Sequence, residues 1–354
     1  DAFAELCMSI DYIDILNDSR VSILIDPHRK ELQDHVLYGY RPELHGGITV
    51  HPLRSRTDTL HTSFSEASEC IKETIQTVSE DYSVQAYFGK QWYINTLRNL
   101  HRSQSAQSRI LPQRHISICA AGPSLDLQYE RLKKKRKSTF LLSTDTALPA
   151  LVQNDIIPDA LVSIDCQHIS YFHFMNGLPG SIPLFLDLSS PPILSELAEN
   201  SYFFSGGHPL TMYISQHWKP FPIIDTSGGN VTYAAVSLAD ALGATQIDLY
   251  GADFSYPFGQ SYAKASYVHP HFQGMQNRFQ PLESCFASFI YRNSGLKKIV
   301  EQNSWRYETK PLEGYRKHLE RLSGKVSACL HAVEGNGAPI QLYQRAQSST
   351  CTFR

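Results

Sequence analysis

Two short turns constrain this chain most, because each joins an apolar run to a helical pattern. Residues 119–126 read Cys-Ala-Ala-Gly-Pro-Ser-Leu-Asp and follow the apolar run at 115–118. Residues 226–231 read Thr-Ser-Gly-Gly-Asn-Val and open a helical stretch that extends to residue 242. Such turns leave backbone N–H groups at the positive end of a helix, where α/β proteins bind phosphate. The pair therefore predicts a nucleotide-type ligand held from two sides.

The sequence from residue 115 onward alternates short apolar runs with helical segments, which predicts an α/β fold. The predicted strands are 115–120, 139–143, 160–165, 182–187, 201–204, 222–225 and 246–251. The predicted helices are 125–136, 146–154, 191–199, 229–242 and 281–302. We expect a Rossmann-like, mainly parallel sheet with helices on both faces, and ligands beyond the carboxyl ends of its strands.

The chain length of 354 residues allows more than one domain. Residues 1–108 are predicted to be an N-terminal α/β extension, with strands at 21–25 and 47–50. Residues 109–310 form the predicted catalytic domain, after a polar linker at 101–109. Residues 311–354 are predicted to be a C-terminal helical segment, with a helix over about 312–332, and a tail.

Polar residues follow several predicted strands and are candidates for substrate binding. Thr144 and Asp145 follow one strand, Asp165 and Gln167 the next, and Asp253 a later one. A single carboxylate at such a position often caps the next helix. Several on one sheet edge suit ribose hydroxyls, a substrate ammonium or a divalent cation. If a metal binds, Asp145 and Asp165 are its candidate ligands.

The two turns supply a second group of candidates, with helix capping as the structural alternative for Ser124 and Asn230. Glycines allow close backbone approach, so a ligand can lie directly on the second helix start. The candidate binding residues of the turns are Gly122, Pro123, Ser124, Thr226, Ser227, Gly228, Gly229 and Asn230.

An aromatic loop after Asp253 contains Tyr262 and the pair His269 and His271. A loop at this position often closes over a ligand, and a histidine can act as a general base near neutral pH. The alternative for each histidine is an ordinary surface position. We place both with Asp165 as candidate catalytic residues and Tyr262 as a candidate substrate contact.

Composition and motifs exclude several classes of protein. The net charge of −2 gives no reason to expect a nucleic-acid partner, and no apolar run reaches the length of a transmembrane segment. The sequence contains no GxGxxG, GxxxxGK[ST] or GxSxG motif, which disfavours NAD enzymes, P-loop NTPases and elbow-type hydrolases. Seven scattered cysteines without CxxC spacing, and the lack of a signal-peptide pattern, predict a cytoplasmic protein.

The order of these motifs resembles the MptE-like domain of motility-associated factor (Maf) proteins, which is similar to bacterial sialyltransferases. The resemblance covers roughly residues 85–305 and includes a lead-in segment with Phe88-Gly-Lys-Gln-Trp92, Asn95 and Asn99. The motifs that carry it are Ala-Gly-Pro-Ser-Leu-Asp (121–126), Thr-Asp-Thr-Ala (144–147), Ile-Pro-Asp (157–159), Ser-Ile-Asp-Cys-Gln (163–167), Ser-Gly-Gly-Asn-Val (227–231) and Leu-Gly-Ala…Tyr-Gly-Ala-Asp-Phe (242–254).

The resemblance implies transfer of a nonulosonic sugar from a CMP-activated donor to Ser or Thr of a protein such as flagellin. It implies that Gly122, Pro123, Ser124, Ser227 and Gly228 embrace the cytidine nucleotide, with a catalytic His at 269 or 271. The sialyltransferases have asparagines near Asp145 and Asp165, and carboxylates there suit a metal or an ammonium group better than a bare phosphate.

Two alternatives follow. Archaeal MptE relatives transfer pyrophosphate from ATP to 6-hydroxymethyl-dihydropterin with Mg²⁺, so a pyrophosphokinase is the second interpretation. A non-catalytic, nucleotide-binding scaffold for a protein partner is the third. The upstream lead-in segment favours glycosyl transfer.

Overall fold

The computed structural model describes residues 2–52, 54–58, 61–104, 112–175, 178, 181–293, 295–301 and 304–343. It has two compact units, Asp1–Gly89 and Lys90–Arg354, and the division falls inside one long helix. The predicted domain boundary at residues 108 and 109 lies outside the described residues, as does most of the predicted tail. Among the described residues, no helix is both long and apolar enough to cross a membrane.

The first unit contains helices and no strand in the part of it that is described. Its helices are α1 (Ala2–Ser9), α2 (Ile13–Leu16), α3 (Arg29–Gly39), α4 (Pro42–His45), α5 (Arg54–Thr57) and the start of α6 (His61–Ser103). The strands predicted at 21–25 and 47–50 are therefore wrong. Val21, Ile23 and Ile25 stay exposed, and β-branched residues favour strands only where a half-buried pleated surface is available.

The second unit is built on a seven-stranded sheet with the order β10-β6-β1-β2-β3-β4-β5, in which every pairing is parallel. Its strands are β1 (His115–Cys119), β2 (Phe140–Thr144), β3 (Ala160–Ser163), β4 (Leu184–Asp187), β5 (Ser201–Phe204), β6 (Gln246–Tyr250) and β10 (Cys329–Ala332). A small antiparallel sheet, β7-β9-β8, contains β7 (Tyr256–Pro257), β8 (Lys297–Val300) and β9 (Trp305–Glu308).

The second unit contains the end of α6 and eight further helices, which cover both faces of the large sheet. They are α7 (Leu125–Lys135), α8 (Leu148–Gln153), α9 (Leu194–Leu197), α10 (Pro209–His217), α11 (Val231–Ala241), α12 (Val268–Met275), α13 (Leu282–Tyr291) and α14 (Lys310–Ser323). Ile116 and Ile118 of β1 pack with α11 and α14, whereas Cys119 packs with α7 and α8. Central strands buried on both faces read as continuous apolar runs, which is why the α/β prediction is confirmed.

Three predicted elements differ from the structure. Residues 222–225 form one parallel bridge, between Ser205 and Ile223, instead of a strand. The helix predicted at 281–302 ends at Tyr291, and β8 follows it. The helix predicted over 312–332 ends at Ser323, and β10 then joins the edge of the large sheet beside β6.

The strand order places a topological switch point at β1. The chain leaves β1 toward β2 and continues outward to β5, then returns through α11 to β6 on the other side of β1. In open α/β sheets the ligand crevice lies outside the carboxyl ends of the strands at such a point. The turns after β1 and β6 meet there.

Candidate functional site at the carboxyl edge of the sheet

The turn after β1 uses its hydrogen-bond donors within the protein. The N–H of Gly122 donates to the carbonyl of Gly251 at 2.8 Å, and the N–H of Ser124 donates to Oδ2 of Asp253 at 2.7 Å. Asp253 is buried, and burial raises the pKa of its carboxyl, while the hydrogen bonds from Ser124 oppose that rise. An internal carboxylate therefore occupies the helix start at which the sequence predicted a bound phosphate.

The segment that follows β10 lies against the same turn. Oγ of Ser124 accepts the N–H of Asn336 at 2.8 Å instead of capping α7. A Cβ on Gly335 would lie 2.5 Å from that Oγ, and one on Gly337 would lie 2.5 Å from a carboxylate oxygen of Asp253. Both interpretations of Ser124, as a helix cap and as a phosphate ligand, missed this contact with a segment 212 residues away.

The turn before α11 combines capping with tight packing. Oδ1 of Asn230 accepts the N–H of Tyr233 at 3.0 Å, so Asn230 is the N-cap of α11. A Cβ on Gly228 would lie 2.2 Å from the ring of Tyr233, whose hydroxyl donates to Asp225 at 2.6 Å. Thr226 donates to the carbonyl of Gly206 at 2.6 Å. The glycine at 228 is thus required by a neighbouring aromatic ring.

Ser227 and Gly229, the other two residues of this turn, also have structural roles. The N–H of Ser227 donates to Asp225 at 2.9 Å. Gly229 has a positive φ of 70°, and a Cβ there would lie 3.1 Å from Tyr315 of α14. A positive φ favours glycine, so Gly229 is explained by the backbone.

The carboxylates after β2 and β3 are close to each other. Ser163 donates to Oδ2 of Asp145 at 2.6 Å, and the N–H of Thr146 donates to its Oδ1 at 2.7 Å. Burial raises the pKa of Asp165, and the charge of Asp145 adds to that rise. The sequence prediction that these residues meet at one sheet edge is in agreement with these contacts. Both oxygens of Asp145 accept hydrogen bonds from neighbouring residues, whereas Asp165 accepts the N–H of its neighbour Gln167 at 2.9 Å.

Thr144 precedes this pair, and its hydroxyl donates to the carbonyl of Cys119 at 3.2 Å. The bond ties the end of β2 to the end of β1, and Thr144 is buried. Its side chain therefore has a structural role in the sheet.

Two asparagines of α6 hold the loops around Asp165. Nδ2 of Asn95 donates to the carbonyls of Cys166 and Ser189, at 3.0 and 2.8 Å. Nδ2 of Asn99 donates to the carbonyls of Leu188 and Ser190, at 2.9 and 2.8 Å. Both amides are buried, and their spacing of four residues places them on one face of the helix. The lead-in segment therefore fixes the loops after β3 and β4.

The aromatic loop after β7 brings two tyrosines to the same edge. The rings of Tyr262 and Tyr267 have centroids 6.0 Å apart. Burial raises the pKa of both phenols, and the charge of Asp145 adds to that rise. The charge of Asp165 raises the pKa of Tyr267 further. The charge of Arg292 opposes the rise in both. Both phenols therefore sense the charges of Asp145 and Arg292, and Tyr267 also senses that of Asp165. We call Asp145, Asp165, Tyr262, Tyr267 and Arg292 the edge cluster.

His269 and His271 each pack beside an aromatic ring. His269 packs on Phe286, with ring centroids 4.8 Å apart, and burial lowers its pKa. His271 is exposed, and its ring lies 6.4 Å from that of Phe172. Within the described part of the chain, neither forms an ion pair with Asp145 or Asp165.

The sequence reasoning missed His173. Its ring packs edge-to-face on Tyr267, with centroids 4.4 Å apart, and its charge lowers the pKa of Asp165 in opposition to burial. It lies in a 3₁₀ segment, His168–Phe174, whose aromatic residues read as core. A histidine eight residues after a strand-end aspartate was the available signal.

Mg²⁺ is implied by the pyrophosphokinase interpretation, and the described residues do not fit a resident ion. Asp145 has both oxygens committed to Ser163 and Thr146. Among residues whose placement is described, no group of three or more His, Cys, Asp or Glu can hold a metal. We therefore assign no step to a metal.

Two cavities lie outside the edge cluster. One of about 510 Å³ is lined by Asp253, Glu301, Arg306 and the segment after β10. The other, about 880 Å³, is open and lies at the amino edge of the sheet, lined by residues such as Arg114, Arg136 and Lys137. The edge cluster itself is the part of the molecule where strand-end carboxylates and aromatic hydroxyls meet.

A mainly parallel sheet with polar residues at its carboxyl edge defines the doubly wound α/β class. A family model described as "6-hydroxymethylpterin diphosphokinase MptE-like" matches residues 90–259. An uncharacterized protein of Treponema pallidum (strain Nichols) is 31% identical over 165 residues, which covers 46% of this chain and 79% of that relative. The chain belongs to the MptE-like family.

Further matches cover smaller parts of the other proteins. A second uncharacterized protein of Treponema pallidum (strain Nichols) is 31% identical over 155 residues, or 43% of this chain and 55% of that protein. A third uncharacterized protein of the same organism is 30% identical over 182 residues, which covers 49% of this chain and 31% of that protein. The solved MAf glycosyltransferase from Magnetospirillum magneticum AMB-1 aligns with a TM-score of 0.48 and 18% identity, over 68% of this chain and 34% of that chain.

Proposed function

We propose that this protein transfers a nonulosonic sugar from a CMP-activated donor to a Ser or Thr hydroxyl of a protein such as flagellin. The observation that carries the proposal is the edge cluster: Asp145, Asp165, Tyr262, Tyr267 and the Arg292 guanidinium at the carboxyl edge of a doubly wound sheet. The motif order of the Maf proteins supports the same reaction class.

The residues suit a direct displacement at the anomeric carbon. The acceptor oxygen attacks that carbon while the bond to the CMP phosphate breaks, and the phosphate takes the electron pair. We assign to Arg292 and to the hydroxyls of Tyr262 and Tyr267 the stabilisation of the charge that develops on the leaving phosphate. A guanidinium and phenol hydroxyls donate to phosphate oxygens, and they do so more strongly where water is excluded.

The turn at Thr226–Asn230 is the second proposed contact of the nucleotide. Asn230 caps one N–H of α11, and a Cβ on Gly229 would lie 3.1 Å from Tyr315. The turn at Gly122–Ser124 is assigned to structure, because the N–H of Ser124 donates to Asp253 and its Oγ accepts the N–H of Asn336.

Pyrophosphate transfer from ATP is the second candidate, favoured by the description of the family model and by the presence of carboxylates where the sialyltransferases have asparagines. Against it, both oxygens of Asp145 already accept hydrogen bonds, from Thr146 and Ser163. Mg²⁺ that is bound together with a nucleotide usually takes one or two carboxylates as protein ligands. In this site Asp165 would have to be the main protein ligand of the ion.

Calorimetric titration with CMP and with ATP, each with and without Mg²⁺, tests the proposal. We expect CMP to bind without metal. Arg292→Gln should weaken CMP binding by about tenfold or more, because a charged hydrogen bond is lost. Lys137→Gln, at the opposite edge of the sheet, is the matched control and should leave CMP affinity unchanged. Mg²⁺-dependent ATP binding without CMP binding would support pyrophosphate transfer instead, and binding of neither nucleotide would contradict both reactions.

A further inference from the structure

Asp187, the last residue of β4, is a buried carboxylate that the reaction proposed above leaves unused. It is 4% exposed. Its Oδ1 accepts the N–H of Ser189 at 2.7 Å and the hydroxyl of the same residue at 2.6 Å. Burial raises the pKa of its carboxyl, and the hydrogen bonds from Ser189 oppose that rise. Burying a carboxylate is costly, so its presence at this strand end calls for an explanation.

Gly206, which follows β5, connects the other oxygen of Asp187 to the turn before α11. A Cβ on Gly206 would lie 2.8 Å from Oγ1 of Thr226 and closer still to Oδ2 of Asp187. The hydroxyl of Thr226 donates to the carbonyl of Gly206 at 2.6 Å, and a hydrogen bond from the Gly206 backbone also opposes the rise in the pKa of Asp187. A residue without a side chain is therefore packed between the carboxylate and the turn that we propose as a nucleotide contact.

Ser189 connects Asp187 to the loop after β3. The carbonyl of Ser189 accepts Nδ2 of Asn95 at 2.8 Å, and the same Nδ2 donates to the carbonyl of Cys166, directly after Asp165, at 3.0 Å. Asn95, Cys166 and Ser189 are all buried. Hydrogen bonds between buried groups are strong and hold their partners in one geometry. The contacts form a continuous path from the loop of Asp165 to the turn before α11, and Asp187 lies in the middle of it.

We propose that Asp187 is a positioning residue, which holds the turn at Thr226–Asn230 in a fixed place relative to Asp165. The inference rests on the proposed function, because that turn is a proposed contact of the nucleotide. Asp187 touches no substrate in this role. It supplies two acceptor oxygens to groups that donate from two different loops, and a fixed geometry matters because small displacements at a site are costly.

The first test is the CMP affinity of Asp187→Asn, measured by calorimetry. The variant keeps the shape of the side chain but replaces one acceptor by an NH₂ group, which would face a donor of Ser189 or Gly206. We expect the affinity to fall at least about fivefold. Asp248→Asn is the matched control, because it changes a buried carboxylate at the amino edge of the sheet, and it should leave CMP affinity within about twofold. An unchanged affinity in Asp187→Asn, or an equal loss in both variants, would overturn the proposal.

A double-mutant cycle tests whether the effect passes through Gly206. Thr226→Val removes the hydroxyl that donates to the Gly206 carbonyl. If Asp187 acts on the same turn, the loss of CMP affinity in the double variant Asp187→Asn, Thr226→Val is smaller than the product of the two single losses. A loss equal to that product would show that the two residues act independently and would overturn the proposal.

Hydrogen exchange of the free protein, followed by NMR, does not depend on CMP. The N–H of Gly229 donates to the carbonyl of Thr226 at 3.1 Å, so its exchange reports on the order of the turn. We expect Asp187→Asn to speed exchange at Gly229 by about tenfold or more, and Asp248→Asn to leave it unchanged. Unchanged exchange in Asp187→Asn would overturn the role of Asp187.

The two measurements separate the two hypotheses. Failure of the unmodified protein to bind CMP contradicts the proposed function, and exchange at Gly229 then still decides whether Asp187 positions the turn. Ser189→Ala removes only the hydroxyl donor on Oδ1, so it replaces Asp187→Asn in both measurements if that variant does not fold. The expected changes then have the same direction, and their absence overturns the proposal.

Discussion

Nδ2 of Asn95 lies 3.0 Å from the carbonyl oxygen of Cys166, the residue directly after Asp165. The same amide also bonds to Ser189, so one side chain of α6 holds the loops after β3 and β4 together. The geometry around Asp165 therefore depends on a helix that begins far upstream of the sheet. A carboxylate in the role proposed for Asp165 benefits from such support, because small displacements at a reaction site lower rates strongly.

Asn95→Ala is expected to destabilise the protein by about 2–3 kcal/mol, since two buried carbonyls lose their donor. Denaturant unfolding measures the effect, and CMP affinity should fall in parallel if Asp165 shifts. Tyr93→Ala is the control on the same helix, because Tyr93 is half exposed. Equal stability of the two variants would show that the Asn95 bonds contribute little.

Gly228→Ala is expected to cost about 1–3 kcal/mol or more, because the new Cβ would meet the Tyr233 ring at 2.2 Å. The ring has little freedom to move, since Tyr233 is buried and its hydroxyl is bonded to Asp225. Gly314→Ala, inside α14 and with nothing within 4 Å of the new Cβ, should instead stabilise by about 0.5–1 kcal/mol. Urea midpoints of the two variants that shift in the same direction would contradict this account.

Ser124→Ala is expected to lower stability by about 1 kcal/mol and to leave CMP affinity within about twofold. The reason is that the hydroxyl accepts the N–H of Asn336, which lies in the segment after β10. Unfolding and calorimetry on the same samples give both quantities. Ser138→Ala, at an exposed position, serves as reference. A large loss of CMP affinity would restore the turn at Gly122–Ser124 as a nucleotide site.

Asp248 supplies a pH-dependent contribution to stability. Burial alone would raise the pKa of its carboxyl, but hydrogen bonds from Lys135, His115 and Gln246 outweigh burial and hold the pKa below its ordinary value. A lowered pKa in the folded state gives stability that is present above the unfolded pKa of about 4. That stability is lost as the pH falls through the folded pKa.

Asp248→Asn should therefore cost about 2 kcal/mol at pH 7 and progressively less below pH of about 4. Unfolding free energies between pH 3 and 7 for both proteins test this. Asp155→Asn is the control, because Asp155 is exposed with a positive φ of 58°, which asparagine tolerates. A cost for Asp248→Asn that is independent of pH would contradict the ionic account.

The central strands and the helices of the large sheet were predictable, because apolar runs such as Ile116–Ile118 are buried and leave a clear pattern. β10 was not, since an edge strand with Leu330 buried and Cys329 and His331 exposed leaves too short an alternation. The pattern at 21–25 predicted a strand for which the described structure offers no partner. A local sequence pattern indicates the propensity of a segment to form a strand, while the pairing of that strand depends on the rest of the chain.

The candidate site was predictable as a place and less so as a set of roles. Strand-end positions predicted Asp145 and Asp165 on one edge. The role of Ser124 depends on Asn336, and that of Asn95 on Cys166, so both are set by contacts that are distant in sequence. His173 carries no strand-end signal of its own, and its buried, unpartnered Nδ1 is visible only in three dimensions.

The position of β10 has a consequence for biosynthesis. β6 cannot pair with β10 until the residues after α14 have left the ribosome. The same holds for the contacts of Ser124 and Asp253 with the segment that follows β10. A nascent chain that has already made β1 to β6 therefore presents an open sheet edge until β10 has been translated. Unpaired strand edges promote incorrect association between chains, so the interval between translation of β6 and of β10 is when binding of a chaperone would protect the chain most.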